Sequence, residues 1–336
     1  MNLGKSILVT GGTGSFGKFF IRKILSNFPE VARLVVFSRD ELKQFEMQKK
    51  FKSSELKKIR FFIGDVRDYQ RLEDAFNGVD TVIHAAALKQ VPAAEYNPFE
   101  CIKTNIVGSE NVIRAALYNR VKKVIALSTD KAAAPINLYG ATKLCSDKLF
   151  TSANKIRGSK KTIFSVVRYG NVFGSRGSVV PLFLEHKKNG YLPITHPDMT
   201  RFNISLDDGI NMVIWAIKNS LGGEIFVPKI PSYKIRDLAT AIAPDCPQKI
   251  VGIRPGEKIH EEMITASDSL NTLDLGDYFA ILSPFSGLAI EQYRKVSNAT
   301  HFPTNQSYCS GTNEKFLTVA QLTKLIADYQ DRCLHE

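Results

Sequence analysis

Long apolar runs are missing from this 336-residue sequence: no stretch approaches the ~20 consecutive apolar residues a membrane-spanning helix needs. The N-terminus also runs straight into a strand pattern without the zones of a signal peptide. Both absences predict a cytoplasmic chain with no membrane partner. Cysteine is scarce. Cys101, Cys145, Cys246, Cys309 and Cys333 are odd in number, scattered and never spaced as CxxC, which argues against a disulfide framework or a zinc site and reads as free thiols. Internal repeats and low-complexity tracts are absent. Acidic residues are in deficit, 33 against 45 Lys and Arg, for a net charge of +12. Such an excess suits an anionic partner. Yet Lys49-Lys50, Lys57-Lys58, Lys122-Lys123, Lys160-Lys161 and Lys187-Lys188 are spread along the chain with no basic-aromatic stripe. They read as solvated lysines on outer helix faces, and no nucleic-acid partner is expected.

What is present is a rhythm. From residue 5 to about 170, short β-branched apolar runs alternate with longer segments of helical spacing: Ser6–Val9, Leu34–Phe37, Arg60–Ile63, Thr81–His84, Lys123–Leu127 and Phe164–Val167. These runs lack polar alternation, as strands of a parallel sheet do when helices cover both faces. The pattern predicts an α/β fold, an NAD(P)-binding Rossmann-type doubly wound parallel sheet with a smaller, interleaved α/β substrate domain. Gly and Pro become frequent after residue 170. We divide the chain into a dinucleotide-binding domain over 1–172 plus about 203–228, to which the helical segment 206–219 returns, and a substrate domain over 173–202 and 229–336.

Directly after the first run comes Thr10-Gly11-Gly12-Thr13-Gly14-Ser15-Phe16-Gly17, followed by a helical pattern. Strand, glycine turn and helix start in that order are the context of a dinucleotide fingerprint: glycines let the backbone approach a pyrophosphate, whose charge sits at the helix N-terminus. Gly11, Thr13, Gly14, Ser15, Phe16 and Gly17 are therefore candidate cofactor residues. At the end of the second run, Ser38, Arg39 and Lys43 suit a 2′-phosphate and favour NADP, whereas a shift of one or two positions would put Asp40 on the ribose and favour NAD. Asp65 and Val66, past the third run, stand where adenine would lie, or form a plain turn.

The richest stretch follows the fifth run: Ser128-Thr129-Asp130-Lys131, then Asn137-Leu138-Tyr139-Gly140-Ala141-Thr142-Lys143. Tyr139 and Lys143, four apart, share one helix face. A lysine beside a phenol favours its deprotonated form and makes it a usable base, while Thr129 can hold a substrate oxygen. The set points to hydride chemistry at a carbinol.

These motifs, with Phe62-Ile63-Gly64-Asp65-Val66-Arg67-Asp68, His84-Ala85-Ala86-Ala87-Leu88-Lys89, Arg168–Gly177, Met199–Phe202 and Arg254-Pro255-Gly256-Glu257-Lys258, resemble the extended short-chain dehydrogenase/reductases over nearly the whole chain. Within them the chain is similar to the inverting UDP-N-acetylglucosamine 4,6-dehydratases of the pseudaminic acid pathway. The resemblance implies oxidation at sugar carbon four with Tyr139 as base, elimination of water across carbons five and six, and hydride return to carbon six. It implies Lys131 as the carbon-five base, uncharged when it acts, and Asp130 as the acid at carbon six, where retaining relatives carry an acidic pair. Their bland reading is a solvated ion pair. Ala85, Lys89, Tyr139 and Lys143 would line the cofactor, and Lys89, Asn171, Thr195, Arg201 and Arg254 the UDP-N-acetylglucosamine, with Asn171, Arg201 and Arg254 on its diphosphate. Any of these arginines could instead form an interdomain salt bridge, and Asn105 could orient backbone or water. The resemblance also implies a homo-oligomer. A 4-epimerase would need Tyr139 and Lys143 but no elimination base, and a non-catalytic NADP-binding regulator would need no intact Thr129-Tyr139-Lys143 set.

Overall fold

The computed structural model describes residues 3–175, 177–284, 290–295 and 298–335. Arg176 of the Arg168–Gly177 motif lies outside them, and so does the side chain of Cys333; Cys101, Cys145, Cys246 and Cys309 carry free thiols.

All six expected strands form. They are β1 (Ser6–Thr10), β2 (Arg33–Ser38), β3 (Ile59–Ile63), β4 (Thr81–His84), β5 (Lys123–Thr129) and β6 (Ile163–Tyr169). Every residue of β1 and β4 is buried, as expected of strands covered on both faces. Further along the chain lie β7 (Leu192–Ile194), β8 (Thr200–Phe202), β9 (Glu224–Pro228), β10 (Ser232–Lys234), β11 (Gln248–Ile250), β12 (Glu262–Ile264), β13 (Thr272–Asp274), β14 (Tyr278–Leu282), β15 (Thr300–His301) and β16 (Tyr308–Cys309). The main sheet has the order β15-β13-β14-β9-β6-β5-β4-β1-β2-β3. From β3 to β9 it is parallel, and β14, β13 and β15 add antiparallel at its far edge. The strand order reverses between β1 and β4, which opens a crevice at the carboxyl ends of the strands.

A second core of Phe173, Val180, Phe183, Leu192, Met199, Tyr233, Leu238, Leu322 and their neighbours forms the smaller unit. The helix Leu206–Asn219 packs on β5 and β6, and β9 pairs with β6 in the main sheet. The expected span 229–336 is not one unit, however. Residues 272–282 and 300–301 extend the large sheet and share its core through Leu273, Phe279 and Phe302. Their strands are short and bounded by irregular chain, so alternation alone does not assign them to a sheet.

Candidate active site

The glycine turn is shaped by close approach. Gly11 sits at φ +66°, where a β-carbon would press on the backbone of Ala86, and a β-carbon on Gly17 would drive into the backbone of Gly12. The helix Ser15–Asn27 starts at Gly14 with no side-chain cap and no acidic residue in its first turn. Unpaired N–H groups and the positive end of the helix dipole therefore face outward, a cradle that fits a pyrophosphate. Thr13 is buried in that turn, while Phe16 stacks on Phe20 and serves packing. Ala85 is held beside the turn, its N–H donating to the Thr10 carbonyl and hydroxyl.

At the end of β2, Asp40 caps the helix Glu41–Gln48 by accepting from the Lys43 N–H at 3.0 Å, and it pairs with the Lys43 ammonium at 2.7 Å. Both residues are thereby engaged with each other. Ser38 is buried against the Gln44 amide, and Arg39, 54% exposed, keeps only a 3.6 Å contact with Asp65. Asp65 is also bound by Arg67. The Val66 side chain is in the core against Gly108, which leaves its backbone as the part able to face a ligand.

The chemistry-bearing turn joins β5 to the helix Leu138–Ile156, which carries Tyr139 and Lys143 on one face. Asn137 caps that helix at Gly140 and donates to the Gly256 carbonyl, both at 2.8 Å, while Lys258 donates to the Ala133 carbonyl at 2.7 Å. These bonds fasten the 254–261 loop over the turn. Asn105, in a π-helical segment (Lys103–Val107), bridges Leu88 and the Thr142 hydroxyl, an orienting role.

Lys131 is the hub. Its ammonium contacts Asp130 Oδ1 at 3.0 Å, Glu261 Oε1 at 3.3 Å and Asn171 Oδ1 at 3.5 Å, and Arg201 Nε reaches Glu261 Oε1 at 3.7 Å. Thr129 donates to Asp130 Oδ1 at 2.9 Å and is hydrogen-bonded to Tyr139. The expectation of an uncharged Lys131 is not met here. Burial by itself would lower its pKa, but Asp130 and then Glu261 outweigh that effect and hold it above the usual lysine range, so the amine is protonated. The expected lowering of Tyr139 by Lys143 is likewise overridden. Burial pushes the phenol up to about 12 against the Lys131 cation and the Thr129 hydrogen bond, and burial lowers Lys143 itself.

A cavity of about 550 Å³ opens over this turn, lined among others by Lys89, Thr129, Lys131, Tyr139, Asn171, Thr195, Arg201, Tyr233, Arg254 and Glu261. All five expected substrate residues border it. Their contacts differ from expectation in two cases. Arg201 is buried, donates to the Thr200 and Ile259 carbonyls, and meets Glu261 rather than standing free; Asn171 turns its oxygen to Lys131. Arg254, at the rim, is 59% exposed and only 3.9 Å from Glu257, and Thr195 donates to the Met199 sulfur. Sequence reasoning missed Glu261 and Tyr233. Tyr233 is buried in the cavity wall, which pushes its pKa up to about 12. Nothing in the local spacing singles out either residue; only the loop closure brings them to Lys131.

Residues 7–283 match the family described as "Polysaccharide biosynthesis protein". A Campylobacter jejuni protein named UDP-N-acetylglucosamine 4,6-dehydratase (inverting) is 59% identical, covering 96% of this chain and 97% of its own. A Rickettsia prowazekii protein named UDP-glucose 4-epimerase is 44% identical over 91% and 89%. Among solved structures, Pen from Bacillus thuringiensis superposes with a TM-score of 0.87 at 39% identity, covering 97% of this chain and 98% of that one.

Proposed function

The chain belongs to the polysaccharide biosynthesis protein family, and from that premise we propose that it is an inverting UDP-N-acetylglucosamine 4,6-dehydratase, a hydro-lyase using NADP. Its product would be UDP-2-acetamido-2,6-dideoxy-beta-L-arabino-hex-4-ulose, made in the cytoplasm for pseudaminic acid synthesis. The observation that carries the reading is the buried cluster around Lys131 beside Tyr139, since an elimination needs an acid and a base beyond the Tyr139-Lys143 pair.

The Gly11–Gly17 turn would hold the dinucleotide, with Ser38 and Arg39 at the 2′-phosphate, Asp65, Val66 and Ala85 near the adenosine, and Lys89 and Lys143 toward the nicotinamide. When bound, the nicotinamide supplies hydride acceptance from carbon four and its return to carbon six. Tyr139 takes the carbon-four hydroxyl proton once it has shed its own and stands as phenolate, a form that the Lys143 cation and the positive charge of a bound oxidised nicotinamide would favour, with Thr129 holding that oxygen. The new ketone acidifies the proton on carbon five. Lys131 can accept it only after its own proton has moved to a carboxyl neighbour. That internal shift leaves the net charge unchanged and produces both required forms, a neutral amine for carbon five and a carboxylic acid for the departing carbon-six hydroxyl. Asp130, at 3.0 Å, is the sequence-expected partner in the shift. Arg254 fits the diphosphate.

A second reading, 4-epimerase, is favoured by the Rickettsia similarity but gives the Lys131 cluster no task. Incubation with UDP-N-acetylglucosamine in deuterated water, followed by NMR, separates them. The expected product is a 4-keto-6-deoxy sugar with solvent deuterium at carbon five in the inverted configuration. Retained configuration overturns the stereochemistry, and a galacto epimer without water loss overturns the dehydratase. A homo-oligomer is part of the same reading: Tyr96 and Phe99 stand 87% and 72% exposed on neighbouring short helices, an apolar surface suited to another copy. A monomeric mass in sedimentation would exclude it.

A further inference from the structure

We propose that Asp147 is a positioning residue for the hydride step, the buried counter-charge on which the Lys143 ammonium depends. This rests only on the hydride step that the dehydratase and epimerase readings share. Tyr139, Lys143 and Asp147 follow at intervals of four along the helix Leu138–Ile156, each one turn from the next. Lys143 is 4% exposed and Asp147 1%. Lys143 forms no ion pair of its own among the described residues, and burial lowers its pKa; the charge opposing that effect is Asp147. A buried lysine without such a neighbour tends to lose its proton, and a neutral amine does not stabilise a phenolate.

Asp147 is itself fixed from the sheet. Its Oδ2 accepts from Ser128 Oγ at 2.8 Å, on β5, and from Arg168 Nη2 at 3.1 Å, on β6. Arg168, 2% exposed, is anchored in turn by donating through Nη1 to the Met263 carbonyl at 2.9 Å. Ser128 directly precedes Thr129, so the clamp joins the strand end that carries Thr129 to the helix that carries Tyr139 and Lys143. Asp147 Oδ1 is buried with no hydrogen-bond partner among the described residues. Arg168 therefore does not saturate the carboxylate, and in this low-dielectric setting its field reaches Lys143.

The other ionisable groups packed around this helix are committed elsewhere. In the turn after β5, Asp130 and Lys131 pair with each other at 3.0 Å. Glu95 accepts from the Leu138 N–H at 2.7 Å, and Cys101 contacts the Thr142 hydroxyl at 3.6 Å. Lys103 pairs with Glu100, Arg114 lies over the Tyr69 ring, and Glu110 and Lys148 are exposed. On β9, Glu224 is bound by Ser165 and by the N–H groups of Leu221 and Gly222. Burial keeps His84 on β4 and Tyr169 on β6 uncharged. Asp268 meets Arg168 at 3.9 Å through Nη1, not through the Nη2 that binds Asp147.

Removing the negative charge favours proton loss from both Lys143 and Tyr139, because Asp147 opposes both losses. In Asp147→Asn the pH profile of nicotinamide reduction, followed by absorbance on rapid mixing with UDP-N-acetylglucosamine, is therefore expected to move to lower pH at both limbs. The rate should fall about 10-fold further at about pH 9 than at about pH 7. Arg168→Gln, which leaves Asp147 unneutralised, is expected to move both limbs to higher pH, and Asp147→Glu to keep the wild-type limbs. In the cofactor-free protein, isotope-labelled at the lysine ε-carbon, the Lys143 resonance, assigned by its loss in Lys143→Arg, should titrate at lower pH in Asp147→Asn and at higher pH in Arg168→Gln. An ion pair that only holds the helix to the sheet lowers stability or rate without moving the limbs. Limbs and resonance that stay in place, or that move the same way in Asp147→Asn and Arg168→Gln, overturn the proposal. Should the Asn variant not fold, Arg168→Gln and Asp147→Glu carry the comparison, with the limbs raised in the first and kept in the second. A wild-type protein that never reduces the nicotinamide overturns the hydride reading itself, a separate result, and the resonance of the cofactor-free protein still decides for or against Asp147.

Discussion

Lys131 illustrates how two neighbours decide what one side chain can do. A lone amine in this cavity would be pushed toward neutrality by burial, but paired with Asp130 and Glu261 it carries its proton and must relinquish it before acting as a base. Lys131→Ala is therefore expected to remove deuterium exchange at carbon five and to lower water loss by about 10²-fold or more, while the early reduction of the nicotinamide, followed by absorbance, persists. Normal water release would dismiss this amine as the base. The cofactor choice is also a matter of single residues. In the proposed NADP reading Arg39 meets the 2′-phosphate, since Asp40 is engaged as a helix cap and paired with Lys43. Arg39→Asp is expected to weaken NADP binding by about 10-fold or more, since a charge-assisted hydrogen bond contributes roughly 1.5–3 kcal/mol, and to affect NAD far less. Equal losses for both cofactors, measured by titration calorimetry, would count against a phosphate contact.

The catalytic helix depends on how its first turn meets the chain before it. Gly140 lies directly over the Lys131 carbonyl, where a β-carbon would collide with backbone, and Asn137 fixes the helix start on the Gly256 carbonyl. Gly140→Ala should shift Tyr139 away from Thr129, cost about 1–3 kcal/mol in urea unfolding, and lower kcat more than it raises KM. Unchanged stability and kcat would mean that the turn relaxes freely. The same logic applies at the cavity wall, where Gly174, at φ +68°, packs against the Tyr329 ring and links the C-terminal helix to the loop beside the substrate residues. Sequence spacing places Tyr139 and Lys143 on one helix face, but shows none of these contacts. Those depend on the absence of a side chain at one residue and on a partner more than a hundred positions away.

Across the whole molecule, one buried histidine joins the elements beneath the cofactor turn. His84 ends β4, its Nδ1 is 2.9 Å from the Thr10 hydroxyl and its Nε2 3.4 Å from Ser109. Burial, reinforced by the Lys143 cation, lowers its pKa to about 3. The folded protein therefore keeps this ring neutral at pH values where the unfolded chain, with an ordinary pKa near 6.5, already binds a proton. Its contribution to stability is fully present above about pH 6.5 and is lost as pH falls toward 3, with about 2 kcal/mol gone at pH 5 relative to pH 7. Urea midpoints across that range should fall accordingly, and His84→Gln should flatten the slope. A slope that survives the substitution would trace to other groups.

The first six strands, the glycine turn and the shared helix face of Tyr139 and Lys143 were readable along the chain, because each is a local pattern: an apolar run, a glycine spacing, two residues one helical turn apart. Local patterns carry that information because backbone geometry repeats over a few residues. The placement of residues 272–282 and 300–301 in the large sheet, the charge on Lys131, and the presence of Glu261 and Tyr233 at the site were decided only by tertiary structure. Each depends on long-range closure. Glu261 is 130 positions from Lys131, and the ion pair that sets that lysine's protonation exists only once the 254–261 loop is fastened over the turn.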